Sequence, residues 1–286
     1  GFLGWERRRL GRGQGVLVDP AMLDNKLLRG GLVSFFFQYL LQAGLFFVVP
    51  LFLSVALGLS AIATGVQLLP LSITLLLAAA GVPRVFPNAN PRRVVRIGFL
   101  ALFASTVTLI ALLDLGAGPE IITGPMLLAG LGVGALASQL GAVTVSAVPD
   151  EQSGEVGGLQ NTVTNLGASI GTALAGAVLI SALTGSFIAG IQDNPGIPEE
   201  VKSNAQVELG NGIPFISDTD LRKSTRGCRG ASCHRRRIVA ENEQSRLDGL
   251  RASLSVLAIF AILAFVFATG IPTRQPGAAP PTGSDA

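Results

Sequence analysis

Long runs of apolar residues dominate the pattern along this chain of 286 residues. Six runs reach about 18 residues or more, and a helix of that length crosses a hydrocarbon layer of about 30 Å. Polar and turn-forming residues separate the runs. The pattern therefore predicts six transmembrane helices, at about residues 31–57, 61–82, 95–113, 121–148, 156–183 and 252–270.

The composition supports a membrane protein. Hydrophobic residues make up 49% of the chain and charged residues 14%, whereas a soluble domain carries about 25% charged residues. Apart from Arg96, at the start of the third run, none of the six runs contains a charged residue. A bundle of buried soluble helices is the alternative, and the scarcity of charge in all six runs argues against it. The sequence predicts an all-α integral membrane protein.

Lysine and arginine are unevenly distributed between the predicted loops. The loops at 58–60 and 114–120 contain neither residue, while the segment before the first run and the loop after the second are basic. Because basic loops stay on the cytoplasmic side, both ends of the chain are expected inside, in the plasma membrane. Residues 1–30 then form a cytoplasmic linker and residues 271–286 a disordered cytoplasmic tail. The basic cytoplasmic loop contains Arg84, Arg92 and Arg93.

The segment 186–251 is predicted to be a long external loop, although it is partly basic. Loops of this length cross the membrane largely regardless of charge. It contains the sequence GCRGASCHRRR, with Cys228, Cys233 and His234 as conceivable metal ligands. Structural zinc normally takes four protein ligands, and surrounding arginines repel a cation, so we expect no metal site. The abrupt change of composition suggests instead that residues 222–237 are read from a shifted frame.

Several stretches resemble the major facilitator superfamily, specifically the fourteen-helix drug:proton antiporters of the EmrB/QacA type. They are WERRR followed by DPAMLDNKLLRGGL, FFVVPLFLSVALGLSAIATGVQLLPLSI across a helical hairpin, GVPRVFPNANPRRVVRIG, and VPDEQSGEVGGLQNTVTNLGASIGTALAGAVL. The resemblance covers nearly the whole chain outside roughly residues 221–237. A long external loop before the last helix is also similar to this subfamily.

This resemblance implies one six-helix bundle, the C-terminal half of a transporter whose N-terminal bundle is missing. A chain that begins at Gly1 without a signal peptide fits the same expectation. In such transporters the proton-coupling carboxylates lie mostly in the N-terminal bundle. The loop with Arg84, Arg92 and Arg93 resembles the degenerate C-terminal copy of the family's cytoplasmic signature loop, which lacks here the usual acidic residue after its glycine.

Uncharged polar residues inside the runs are the candidates for binding a substrate. Amides four residues apart share a helix face, and mostly apolar walls with a few such groups suit an amphipathic molecule. Hydrogen bonds that merely link helices are the alternative for each of them. The candidate substrate-binding residues are Gln38, Gln42, Gln139, Asn161 and Asn165.

Small residues and prolines are the candidates for helix packing and gating. Gly167, Gly171 and Ala175 recur every four residues, so another helix can approach closely. Pro50 and Pro70 lie inside runs, where proline favours a kink. The glycines of GLGVG, in the fourth run, lie inside an apolar helix and not between a strand and a helix, which excludes a dinucleotide fingerprint.

The expected function is proton-coupled export of drug-like or amphipathic small molecules by alternating access, with export implied by the resemblance. The expected partners are such a substrate, the lipid bilayer and the missing helical bundle. Neither enzymatic activity, a cofactor nor a nucleic acid is expected. Two alternatives stay open: a non-transporting or vestigial fragment that acts only with a partner bundle, and a metal-binding membrane protein.

Overall fold

The computed structural model describes residues 20–113, 118–192 and 232–271, with short pieces between residues 4 and 14. All regular structure in this part of the chain is helical. Each long helix contains a stretch long and apolar enough to cross a membrane. The six are α1 (Lys26–Leu51), α2 (Ala61–Val85), α3 (Pro91–Leu112), α4 (Thr123–Val145), α5 (Ser153–Gln192) and α6 (Ser232–Phe267).

Several helices extend beyond the spans that hydropathy predicts. The first begins at Lys26 because the side-chain oxygen of Asn25 accepts the N–H of Leu27 at 2.9 Å. In the same way, Asn90 caps α3, and Pro91 occupies its first helical position, four residues before the predicted span. Both ends of the predicted loop 186–251 are helical: α5 continues to Gln192, and α6 already begins at Ser232. Apolar runs locate the hydrocarbon crossing, whereas caps determine where the helix ends.

The far end of α1 departs from α-helical geometry. Pro50 lies in its last turn, and a π-helical segment, Phe52–Ala56, follows. Proline lacks the N–H that would continue the hydrogen-bond ladder, so a local change of helix type is accommodated here. The hydroxyl groups of Ser54 and Thr64 lie 3.4 Å apart and join this segment to α2.

The helices form one bundle in which α1 and α4 are the most deeply covered. The first helix packs most extensively against α5 and also contacts α6 and α4, while α4 packs against α2 and α3. The sixth helix lies against α5, α3 and α1. Of the most apolar stretch of α2 only 11% is buried, against 56% for α1 and α4. The second helix is therefore held almost entirely by α4.

Glycines bring the backbones of three helices into contact. Gly130 and Gly134 of α4 lie against the carbonyl oxygens of Leu71 and Leu75 in α2, nearer than a side chain would permit. On another side of α4, Gly132 and a glycine of α3, Gly98, face each other. A Cβ atom on either would lie 2.8–3.0 Å from the carbonyl or side-chain atoms opposite. The glycines of GLGVG thus allow two neighbouring helices, α2 and α3, to pack closely against α4.

A smaller apolar cluster joins α1 and the short helix before it to the first turn of α5. It comprises Met22, Leu28, Leu32 and Val156, all buried. The side-chain amide of Asn25 donates to the carbonyl oxygen of Ala147 at 2.6 Å. The residue that caps α1 therefore also fixes the end of α4 relative to α1.

At the other membrane surface, Arg251 of α6 holds the end of α3. Its Nη2 atom donates to the carbonyl oxygen of Leu113 at 2.5 Å, and its Nη1 atom lies 3.7 Å from a carboxylate oxygen of Asp248. Leu113 is the C-cap of α3, where backbone carbonyls lack helical partners and carry partial negative charge. A cation is well placed there.

Replacement of Arg251 by alanine is expected to lower the free energy of unfolding by about 1 kcal/mol, because a partly exposed charged hydrogen bond is lost. Thermal unfolding of the purified protein in detergent measures the change. The control is Asp248→Ala, which removes only the longer ion pair and should cost less than about 0.5 kcal/mol. An equal loss from both variants would show that the bond to Leu113 contributes nothing.

Candidate functional site

Two of the glutamines selected from the sequence lie in the interior of the bundle. Gln38 of α1 is 3% exposed and Gln139 of α4 is 5% exposed. The Oε1 atom of Gln38 is shielded and has no hydrogen-bond partner among the residues that the structure describes. The side-chain amide of Gln139 donates a long bond, 3.4 Å, to the hydroxyl of Ser138. Buried amides with so few partners retain unused hydrogen-bonding capacity.

Gln42 lies about 40° around α1 from the buried Gln38 and is less covered. It is half-buried, and so are Phe35 and Tyr39, whose ring centroids are 6.5 Å apart. Phe46, one turn further, is exposed. The spacing of these four residues places them on one face of the helix. We call Phe35, Tyr39, Gln42 and Phe46 the open face of α1; it combines aromatic rings with one amide.

Asn161 and Asn165 lie on the exposed surface of α5. The side-chain amide of Asn165 donates to the side-chain oxygen of Asn161 at 3.0 Å and to its backbone carbonyl at 2.8 Å. Ser169 and Thr172 continue the same row and are also exposed. The intervals of four, four and three residues keep all four on one face. We call Asn161, Asn165, Ser169 and Thr172 the polar stripe.

Sequence reasoning found the two asparagines but missed Ser169 and Thr172. The signal was present, since polar residues recur at helical spacing over about three turns of an otherwise apolar helix. Among the described residues, no hydrogen bond joins the glutamines of α1 and α4 to these asparagines. The link between α4 and α5 is made by Gln160, whose side-chain amide donates to the hydroxyl of Thr144. The structure thus separates the predicted binding residues into an interior pair, an open face and a polar stripe.

The small residues of α5 lie where it crosses α1 and α6. Gly167 is in close contact with the carbonyl oxygen of Phe36, and Gly171 with that of Leu40. Ala175 is buried, and its carbonyl oxygen accepts a hydrogen bond from Ser253 of α6 at 3.0 Å. Side chains at the two glycines would separate α1 from α5.

Both prolines selected from the sequence lie inside helices. Pro50 precedes the π-helical segment of α1. Pro70 lies within α2, which continues to Val85. The hydroxyl of Thr74 donates to the carbonyl oxygen of Pro70 at 2.8 Å. The carbonyl oxygen that Pro70 leaves without a backbone donor is that of Val66, four residues earlier, so this bond does not replace the lost one.

The arginines predicted to form a loop lie in helical turns. Arg84 is in the last turn of α2, and Arg92 and Arg93 are in the first turn of α3, so the loop itself spans only residues 86–90. The difference arises because the cap at Asn90 starts α3 before the apolar run begins.

The described residues contain no group of three or more histidine, cysteine, aspartate or glutamate side chains arranged to hold a metal ion. Cys228 and the rest of 193–231 lie outside the described residues, as does the tail at 272–286.

Comparison with known proteins gives the family. The protein-family model described as Major Facilitator Superfamily matches residues 6–172. The chain is 23% identical over 197 residues to the "Probable actinorhodin transporter" of Streptomyces coelicolor, which covers 68% of this chain and 34% of that protein. It is 30% identical over 165 residues to the "Tetracenomycin C resistance and export protein" of Streptomyces glaucescens, covering 58% and 30%.

The chain spans roughly a third of the length of these two relatives. The family match, however, covers more than half of the chain itself, and it includes α1 to α4 and part of α5. Six long apolar helices agree with a multi-pass membrane protein. The chain therefore belongs to the Major Facilitator Superfamily, a family of membrane transport proteins rather than enzymes.

Proposed function

We propose that this chain is the C-terminal six-helix bundle of a fourteen-helix drug:proton antiporter of the EmrB/QacA type, which exports amphipathic small molecules by alternating access. The polar stripe of α5 is the observation that carries the proposal. The names of the two relatives, a transporter and a resistance and export protein, support export of antibiotic-like compounds.

A row of exposed polar groups is not stable against lipid. Uncharged amides and hydroxyls in a membrane need partners, and helices present them to a neighbouring helix or to a water-filled cavity. The polar stripe has four such groups on one face. Its helix, α5, and α2 are the two least covered spans. We infer that the stripe faces a central cavity shared with a second bundle.

The chemistry of the candidate walls suits a largely apolar substrate with a few polar groups. The open face of α1 supplies aromatic surface and the amide of Gln42, while the polar stripe supplies amides and hydroxyls. Such sites orient a ligand with few hydrogen bonds and bury most of its apolar surface. Gln38 and Gln139 lie deeper in the bundle, behind these candidate walls.

We assign proton coupling to the other bundle. In the described spans the charged residues lie near the ends, such as Arg96 in α3 and Glu155 in α5, and none lies at mid-membrane depth. Coupling needs a titratable group within the membrane. The basic ends of α2 and α3 are proposed to be cytoplasmic by the positive-inside rule. The segment between α5 and α6 is then external.

The close crossing of α1 and α5 supports a role in alternating access. Backbone contact at Gly167 and Gly171 brings the two helices as close together as their main chains allow. Rigid rocking of one bundle against another requires its own helices to hold together as a body. We propose that this contact keeps the C-terminal bundle rigid while the cavity opens.

Two experiments test the proposal. The DNA upstream of this chain is sequenced in the same reading frame, and the whole frame is then expressed in an efflux-deficient bacterium. We expect eight further spans upstream and a raised inhibitory concentration for tetracenomycin C or actinorhodin. In that transporter, Ser169→Leu should lower the efflux rate by about tenfold, because an apolar side chain replaces a polar group in the cavity wall.

The matched control is Ser181→Leu, since Ser181 is another exposed serine of α5 that lies off the polar stripe. This variant should export like the unchanged protein. Equal loss in both serine variants would contradict the assignment of the stripe to the cavity. A stop codon directly before the chain, with no protection in any context, would favour the non-transporting fragment instead.

A further inference from the structure

The membrane surface at which α3 begins carries a cluster of unneutralised positive charge. Arg92, Arg93 and Arg96 occupy the first turns of α3, with Arg84 at the end of α2 nearby in sequence. None of the four lies within 4.0 Å of a carboxylate oxygen in the part of the chain that the structure describes. Cations at a helix N-terminus also oppose the helix dipole. An anion bound here would relieve both repulsions.

Arg96 is held in place by an aromatic ring. Its guanidinium carbon lies 4.2 Å from the ring centroid of Phe265 in α6, a cation–π contact between neighbouring helices. The Nε atoms of Arg92 and Arg96 are shielded from solvent and, within the described ranges of the chain, have no hydrogen-bond partner. A guanidinium offers five donors in a fixed fork that fits phosphate oxygens. The described part of the chain makes no hydrogen bond to either guanidinium group, so the Nη donors remain for an anion outside the protein, and Phe265 orients that of Arg96.

The surface beyond the arginines is apolar. Ile97 and Leu100 follow Arg93 at intervals of four and seven residues, on the same face of α3, and both are exposed. On α6, Ile262 lies one turn from Phe265 and is exposed as well. The arginines at the membrane surface match the phosphate of a phospholipid, and the exposed apolar side chains along the helices match its acyl chain. The exposed residues of the polar stripe, on α5, form a surface of different character.

We propose that Arg92, Arg93 and Arg96, with Phe265, bind the phosphate of an anionic phospholipid whose acyl chain lies along the exposed apolar side chains of α3 and α6. The arginines donate to the phosphate oxygens, and the ring of Phe265 fixes the direction of Arg96. Basic pockets between membrane helices recognise anionic headgroups in this way. The site is separate from the polar stripe and does not depend on the transported substrate.

The test is retention of lipid by the purified protein, measured by native mass spectrometry with equal amounts of phosphatidylglycerol and phosphatidylcholine. We expect preferential retention of phosphatidylglycerol, reduced about fivefold by Arg96→Gln and further by Arg92→Gln and Arg93→Gln together. The control is Arg29→Gln, which removes an exposed charge from the start of α1, at the membrane surface where α3 also begins. This variant should leave retention unchanged. Phe265→Leu keeps every charge and should lower retention by less than Arg96→Gln does.

Additional arms distinguish the possible ligands. Inorganic phosphate or glycerol phosphate at millimolar concentration should not displace the lipid, because neither has an acyl chain; displacement would overturn the lipid assignment in favour of a free anion site. Equal retention of both lipids, or equal retention by the unchanged protein and the triple arginine variant, would overturn the proposal and favour a carboxylate of another protein domain as the partner. Elution of each variant as a single species on size exclusion shows that it is folded.

Discussion

Replacement of Gly134 by alanine is expected to loosen the attachment of α2 to the bundle. The added methyl group would overlap the carbonyl oxygen of Leu75 and lie 2.7 Å from the Cβ atom of Ala78. Backbone cannot move aside as a flexible side chain can, so α2 must shift as a whole. Because α2 packs almost only against α4, few other contacts oppose its release. We expect a loss of about 1–3 kcal/mol, the usual cost of overpacking.

Thermal unfolding in detergent, followed by the fraction of protein that elutes as a single species after heating, measures this loss. The matched control is Gly141→Ala, in the same helix, where a new Cβ atom would have no neighbour within 4 Å. Alanine is the better helix former by nearly 1 kcal/mol, so the control should be neutral or slightly stabilising. A stable Gly134→Ala variant would mean that α2 and α4 do not touch through their backbones.

Replacement of Gly171 by alanine is the second large effect, and it acts on one of the two most extensive helix contacts of the bundle. The new Cβ atom would meet the backbone of Leu40, with its carbonyl carbon at 2.8 Å and its Cα atom at 2.9 Å. Since α1 and α5 both continue past this point, the methyl group would force them apart over several turns. We expect about 2–3 kcal/mol of destabilisation and a lower melting temperature.

The control for this variant lies five residues further along α5. A Cβ atom at Gly176 would contact only the ring of Phe47, at 3.6 Å, which is ordinary van der Waals distance. Gly176→Ala should therefore melt at or above the temperature of the unchanged protein. If Gly171→Ala and Gly176→Ala behave alike, the crossing of α1 and α5 is looser than the structure indicates.

The number of helices and their membrane character could be predicted from the sequence because both depend on local composition. Runs of apolar residues without charge specify a spanning helix with little reference to its neighbours. Exact helix ends depend on single caps, and Asn25 and Asn90 lie just outside the apolar runs. An interpretation based on hydropathy alone therefore placed Arg92 and Arg93 in a loop.

The roles of individual glycines could not be predicted in the same way. Spacing identified the face that Gly167 and Gly171 share, but not the helix that they meet. In GLGVG, the pattern excluded nucleotide binding without revealing that Gly130 and Gly134 face α2 while Gly132 faces α3. The identity of the helix that faces each glycine depends on how the whole bundle packs, so no single segment of the sequence contains it.

The burial of individual polar residues is a third property that could not be predicted from the sequence. Gln38 and Gln42 are four residues apart, yet one is buried and the other lies on the open face of α1. Residues at this interval differ by about 40° around the axis, which is enough to fall on either side of a neighbouring helix. Arg96 was assigned to the edge of a span, and its contact with Phe265 depends on two helices that are distant in sequence.

The π-helical segment at the end of α1 affects the rotational phase of the helix. Leu57 donates its N–H to the carbonyl oxygen of Phe52, five residues back, at 3.2 Å. A π-helical turn holds more residues than an α-helical turn, so each residue of the segment advances by less than the roughly 100° of an α-helix. A helical wheel drawn at the α-helical angle through Gln38 and Gln42 therefore misplaces Ser54, whose hydroxyl points to Thr64. The side chains of residues 52–56 should be projected separately from those of α1.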